Sequence, residues 1–183
     1  SSICHFFKEM GAYVVNADAI AHQLLMPDTS LGQQVIQVFG PGIIQNGQIS
    51  RKRVADRAFK DPERLKKLEE LIHPAVLRKI EEIYAAVCEE GSHSSFVVEI
   101  PLLYEIGADK FYDVIVAVLS DEKHAKKRFE RAGFQETEYD LRMRRQLEPK
   151  EKAAKAHYTI YNNGSLDDLR EEVIKLNRIL HKQ

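Results

Sequence analysis

Cysteine is scarce in this chain, and neither sign of charge is in excess. Only Cys4 and Cys88 occur in 183 residues, far apart and without Cys-x-x-Cys spacing. That argues against a disulfide-stapled scaffold and fits a reduced intracellular protein. Cys4-His5 is followed by nothing at a metal-ligand interval, so a helix is expected there rather than a zinc site. His22 and His73 also lack partners at such an interval, which on spacing alone favours structural roles. Lys+Arg and Asp+Glu nearly cancel, at 27 and 28, for a net charge of -1. This balance gives no support for a nucleic-acid or membrane-surface partner. No apolar run approaches membrane-spanning length, and nothing reads as a signal peptide; a soluble, cytoplasmic protein is expected. Internal repeats and low-complexity segments are absent as well. A chain of this length forms one domain, or a core with an inserted lobe, and can bury a sizeable core.

The chain is organised around Tyr13-Val14-Val15-Asn16-Ala17-Asp18-Ala19-Ile20-Ala21-His22. Strand-forming residues run into a polar corner, and a helical pattern continues through Ile20, Leu24 and Leu25. A carboxylate at the C-terminal end of a strand is where open α/β sheets place their chemistry. The competing local reading makes Asp18 the N-cap of the helix that follows.

Before this stretch, Ile3, Phe6, Phe7 and Met10 have helical spacing, and Gly11 is a good stop. A helix with no strand before it implies that the numbered sequence begins part-way through the natural polypeptide. After it, a largely helical region extends to about Glu90. Ser30 is placed to cap Leu31 to Phe39, while Gly40-Pro41-Gly42 and Asn46-Gly47 mark turns. Arg51 to Phe59 and Glu63 to Ile72 read as short helices. His73-Pro74 is expected to punctuate them, with a longer amphipathic helix from Val76 to near Gly91. Phe96 to Ile100 reads as a strand stopped by Pro101. Val114 to Leu119 is a continuous apolar run of the kind buried on both faces of a parallel sheet. Asp121 to Ala156 reads as helical and cationic, Tyr158 to Tyr161 as a last strand turned by Asn162-Asn163-Gly164. Ser165 with Asp168 resembles a capping box ahead of a helix striped by Leu166, Leu169, Val173, Leu176 and Leu180. Helices alternating with strands indicate an α/β parallel sheet.

Several residues stand out as carriers of chemistry, each with a plain structural alternative. Arg128 and Arg131 share a helix face, as do Arg142 and Arg145. Such clusters are usually solvated faces. Here they occupy successive segments after a buried strand, which suits a mobile cover closing on an anion, since guanidinium groups match phosphate oxygens. Glu99, in an otherwise apolar strand, needs a partner or a cation; an edge position or a salt bridge is the alternative. Two acids at strand ends and a bank of arginines point to phosphate-handling chemistry. A glycine-rich loop to cradle the phosphates is lacking.

With these residues in order, the chain resembles the dephospho-coenzyme A kinases over essentially its whole length. In that family a strand and P-loop end in Gly-Lys-Ser-Thr or similar, followed by a helix, a glycine and a strand ending Asp-Ala-Asp. Ser1-Ser2, Gly11 and Asn16-Ala17-Asp18 fall at matching intervals here. So do Ala21-His22, Ile49-Ser50-Arg51, Ile72-His73-Pro74, Pro101-Leu102-Leu103-Tyr104-Glu105, Gln146 and Asn162-Asn163-Gly164-Ser165. The ordered set is specific where no single match is. The resemblance implies ATP-dependent phosphorylation of the ribose 3'-hydroxyl of dephospho-coenzyme A, the last step of coenzyme A synthesis, with Mg²⁺ accompanying ATP. It implies a P-loop kinase-like parallel sheet flanked by helices: core 1–16, 92–120 and 157–183, helical substrate lobe 17–91, helical lid 121–156. Asp18 matches the family's general base. Arg128 would reach ATP phosphates from the lid, helped by Arg131, Arg142 and Arg145. Ser1 and Ser2 would lie at the phosphates, with Ser1 and Glu99 toward the metal, and Asn163-Gly164 at the adenine pocket. Arg51, His73 and Leu102 would serve the substrate.

Three departures from the family pattern matter. Asn16 replaces the first aspartate of Asp-Ala-Asp, removing a charge near the metal. His157 stands where aspartate is usual, for which only a local change is expected. The first strand and the glycine-rich loop with its lysine are absent, so a protein beginning at Ser1 is expected to show very weak or no kinase activity and to leave unpaired strand edges. Another P-loop small-molecule kinase, or a nucleotide- or coenzyme A-binding fragment without turnover, are the alternatives. Asn16 disfavours an Asp-x-Asp phosphatase.

Overall fold

In the computed structural model, residues 1–131, 133, 139–140 and 143–182 are described, and they fall into two compact units. The first joins Ser1–Ala12 to Pro101–Gln183; the second is Tyr13–Ile100.

In the first unit the opening apolar positions do form a helix, α1 (Ser2–Glu9), burying Ile3, Cys4, Phe6 and Phe7. They pack against the C-terminal helix, whose Leu169, Val173 and Leu176 are buried. Arg170 adds an ion pair with Glu9 at 3.0 Å and lies 5.6 Å from the centre of the Phe6 ring. Strands Val116–Leu119 and Tyr158–Tyr161 pair in parallel, Val116 opposite Tyr158 and Leu119 opposite Tyr161. The expectation of a strand buried on both faces does not hold. Ile115 and Ala117 are buried, but Val118 is 48% exposed. Period-two alternation puts Ile115 and Ala117 inside and leaves Val118 exposed, with Val116 only partly buried. Helices Glu122–Arg131 and Pro149–Lys155 lie between the two strands in sequence. Ser165 and Asp168 complete the expected capping box on the final helix, Leu166–Leu180.

In the second unit β1 (Tyr13–Asn16) pairs in parallel with Phe96–Glu99, Tyr13 opposite Phe96 and Asn16 opposite Glu99. The Tyr13 and Phe96 rings stack at 5.7 Å. Helix α2 (Ala17–Leu24) follows β1 directly; α3 (Ser30–Phe39) begins one residue earlier than expected, because Thr29 rather than Ser30 caps it. Asn46 and Gly47, both at positive φ (51° and 74°), turn a short antiparallel hairpin of β2 (Ile44–Gln45) and β3 (Gln48–Ile49). Positive φ at both central residues is what such a two-residue turn requires. Helix α4 (Arg51–Ala58) is capped by Ser50.

The expected break at His73-Pro74 is absent: α5 runs unbroken from Pro62 to Glu90. A proline inside a helix costs about 3 kcal/mol. Both halves of α5 are held by packing that exceeds this. Leu65, Leu68, Leu71 and Ala75 pack against a cluster centred on Val35, Phe39 and Ile43. Val76 and Ile80 join a second cluster with Val15, Ala17 and Ile20, and Ile72 touches both. A fully buried aliphatic side chain contributes about 1.5–3 kcal/mol, so a few suffice. With β4 (Phe96–Glu99), β5 (Val116–Leu119), α6 (Glu122–Arg131), α7 (Pro149–Lys155), β6 (Tyr158–Tyr161) and α8 (Leu166–Leu180), the architecture is α/β with parallel strands flanked by helices. Among the described residues, no helix is long and apolar enough to cross a membrane.

Candidate active site

The parallel pair β1·β4 ends in Asn16 and Glu99, which face each other in register. Asn16 leaves the strand with extended backbone, and its Oδ1 accepts from the Ala19 N–H at 2.8 Å. Asn16 is therefore the cap of α2, and the reading of Asp18 as the cap is wrong. Asp18 lies inside the first turn, exposed to solvent beyond the strand end. Its carboxylate sits near the positive end of the helix dipole. One partner of Glu99 is Asn16, whose Nδ2 donates to Glu99 Oε2 at 3.1 Å. Arg51 opens α4 and is exposed; His73 lies mid-way along α5, half-buried. These residues belong to the unit Tyr13–Ile100.

In the other unit, Arg128 on α6 reaches the ends of β5 and β6. Its Nη1 donates to Ser120 Oγ at 3.1 Å and its Nη2 to the Asn162 carbonyl at 2.7 Å. Asn163 Oδ1 accepts from the Asp121 N–H at 2.7 Å, tying the same two strand ends together. A Cβ on Gly164 would lie 2.6 Å from Asp168 Oδ2 and 3.2 Å from Asp168 Cβ. That carboxylate is held by the Ser165 N–H and hydroxyl, so the turn has room only for glycine. Arg128, Asn163 and Gly164 are thus brought together. Arg131 and Arg145 are exposed, Arg131 ending α6 and Arg145 in a turn. Arg142 lies outside the described residues. Ser1 precedes α1 and Ser2 opens it, and Leu102 is half-buried in the turns after Pro101. His157 accepts from the Ile115 N–H through Nδ1 at 3.0 Å, a contact confined to the start of β5.

A group that sequence reasoning left without a role is Glu105. Its Oε1 accepts from Lys152 Nζ at 2.9 Å and from the Leu147 N–H at 2.7 Å. Lys152 also donates to the Pro101 carbonyl at 2.7 Å and to Gln146 Oε1 at 2.8 Å. Burial pushes the Glu105 carboxyl up, but the hydrogen bonds from Lys152 and Leu147 and the lysine's charge outweigh it and hold it below the usual range. The hint in the sequence was the place of Glu105 in the family match Pro101-Leu102-Leu103-Tyr104-Glu105; Lys152 looked like any surface lysine.

Among the described residues no group of three or more His, Cys, Asp or Glu side chains is arranged to hold a metal, and both cysteines are free. Ser1 in the first unit and Glu99 in the second each carry a hard oxygen donor, of the kind that Mg²⁺ takes one or two at a time while keeping several of its waters.

Residues 1–168 match a family model described as dephospho-CoA kinase. A dephospho-CoA kinase of Protochlamydia amoebophila is 39% identical over 178 residues, covering 96% of this chain and 88% of the relative. One from Aquifex aeolicus is 35% identical over 177 residues, covering 96% and 89%. Among solved structures, a dephospho-CoA kinase from Campylobacter jejuni superposes with a TM-score of 0.71 at 26% identity, covering 99% of this chain and 90% of that one.

Proposed function

The chain belongs to the dephospho-CoA kinase family, and from that premise we infer that it transfers the γ-phosphoryl group of ATP to the ribose 3'-hydroxyl of dephospho-coenzyme A. The products are ADP and coenzyme A, and the reaction closes coenzyme A synthesis. The observation that carries the site assignment is Asp18, an exposed carboxylate in the first helical turn after the end of a parallel strand.

The division of labour follows from the chemistry of each group. Asp18 accepts the proton of the 3'-hydroxyl as that oxygen bonds to the γ-phosphorus and the bond to the β,γ-bridging oxygen breaks. Phosphoryl transfer depends on positioning and charge stabilisation more than on covalent chemistry by the protein. Arg128 supplies guanidinium donors to the ATP phosphates, with Arg131, Arg142 and Arg145 as further cations. Asn163 and Gly164 line the adenine pocket; Arg51, His73 and Leu102 contact dephospho-coenzyme A. Ser1 and Glu99 would hold Mg²⁺, with Ser2 beside Ser1 at the phosphates. The ion, when bound, neutralises phosphate charge. In this reading residues 1–16, 92–120 and 157–183 form the core, 17–91 the substrate lobe and 121–156 the lid. The balanced charge gives no support for a nucleic-acid or membrane-surface partner, and we place the enzyme in the cytoplasm.

The test is a panel of acceptors offered with ATP to the protein expressed from its full natural reading frame. Dephospho-coenzyme A is expected to be phosphorylated in preference to nucleosides and nucleoside monophosphates; preference for a monophosphate would reassign the substrate. Arg128→Lys keeps the charge but loses the planar fork. Losing one charge-assisted hydrogen bond of about 1.5–3 kcal/mol corresponds to a fall of about 10- to 100-fold in kcat/KM for ATP. Steady-state kinetics with ATP varied checks this, and an unchanged kcat/KM would limit Arg128 to tying β5 to β6.

A further inference from the structure

A single amide at the junction of β1 and α2 makes two directed contacts. Asn16 Oδ1 caps α2 through the Ala19 N–H at 2.8 Å, and Asn16 Nδ2 donates to Glu99 Oε2 at 3.1 Å. The two uses fix the amide's orientation, because the first needs an acceptor and the second a donor. Direct opposition of Asn16 and Glu99 in the parallel register holds the second contact in place.

An aspartate at this position would satisfy only half of this arrangement. Asn and Asp cap helices about equally well, so the bond from Ala19 would survive. The other oxygen would then face Glu99 Oε2 at the present separation, two acceptors with no proton between them and a repulsion between like charges that a cation would relieve. Alanine would lose both contacts.

We propose that Asn16 is a positioning residue for this strand end: it fixes the first turn of α2, which carries Asp18, and holds the Glu99 carboxylate without adding a negative charge. Glu99 and the turn that carries Asp18 thereby share one neutral group. The part of the inference that concerns catalysis rests on the assignment of Asp18 as the base.

Two readouts test it, with the protein expressed from its full natural reading frame. In steady-state kinetics Asn16→Ala is expected to lower kcat by about 10- to 100-fold, the effect of a displaced reacting group, with KM for both substrates nearly unchanged. In EDTA, Asn16→Asp is expected to melt about 2–4 °C below the wild type. Millimolar Mg²⁺, or the second substitution Glu99→Gln, should restore its midpoint. Wild-type kcat in Asn16→Ala, alongside an inactive Asp18→Asn, would overturn the positioning role. If Asp18→Asn is fully active, the base assignment fails instead, and the melting data still decide the Glu99 contact. An Asn16→Asp midpoint equal to wild type in EDTA, or one that Glu99→Gln does not restore, would overturn that contact.

Discussion

Asp18→Asn is expected to lower kcat by about 10²- to 10⁴-fold, the contribution of a positioned general base, with KM for ATP and the thermal midpoint close to wild type. The substitution is nearly isosteric and takes away the proton acceptor. The geometry isolates this effect. Because Asn16 is the cap, Asp18 does not hold the helix together through a side-chain hydrogen bond to the first turn. Only the interaction of its charge with the helix dipole is lost, roughly 0.3–1 kcal/mol at an exposed position. A structural role would give the opposite pattern, a lower midpoint with kcat preserved. Steady-state kinetics together with thermal melting separate the two, and kcat within a few-fold of wild type would remove Asp18 from the mechanism.

Lys152→Ala carries the second large effect, and it falls on stability. Removing one member of a buried ion pair costs about 3–5 kcal/mol. Here the side chains are 18% and 15% exposed, so solvent screening brings the expectation to roughly 2–4 kcal/mol. The loss is large because Lys152 serves three acceptors on two segments: Glu105 and the Pro101 carbonyl in the turns after β4, and Gln146. Without it, the Glu105 carboxylate keeps only backbone donors, from Leu147 and from Glu105 itself, and its Oε2 is already buried without a partner. Chemical denaturation of Lys152→Ala, Glu105→Gln and the double variant measures the coupling; additive losses would mean that the pair is not a unit.

The pair also has a pH signature. The Glu105 carboxyl is depressed in the folded state. Its stabilisation is complete above the unfolded value, about 4.3 for glutamate, and is lost as pH falls through the lower folded value. Glu105→Gln has no such titration. Its deficit against the wild type should be constant near neutrality and shrink in acid. A deficit independent of pH down to the acid transition would contradict the assignment.

Much of this architecture was legible where one local signal dominated. Helical spacing in Ile3 to Met10, the β-rich Tyr158 to Tyr161 and the Ser165–Asp168 box each correspond to the element observed. Local signals failed where contacts distant in sequence decided the outcome. Pro74 reads as a break, yet two clusters of apolar side chains hold α5 straight through it. Asp18 reads as a cap, yet Asn16 is opposed to Glu99 across the strands and takes that place. The Val114 to Leu119 run reads as doubly buried, but hydrophobicity does not reveal whether both faces of a strand are covered. Family motifs drew attention to Asp18 and Asn163, and the arginine cluster to Arg128, as the residues proposed for the site. That Arg128 bonds to Ser120 and Asn162, and Glu105 to Lys152, follows from chain segments meeting in space, which motif spacing does not encode.

The most direct measurement is the position of the new phosphate in the product formed from ATP and dephospho-coenzyme A by the protein expressed from its full natural reading frame. Phosphorus–proton correlation spectroscopy should find one new monoester, coupled to the ribose 3' proton, formed in step with ADP and lost in Asp18→Asn. A phosphate at another position, or ADP released with no phosphorylated acceptor, would contradict the account.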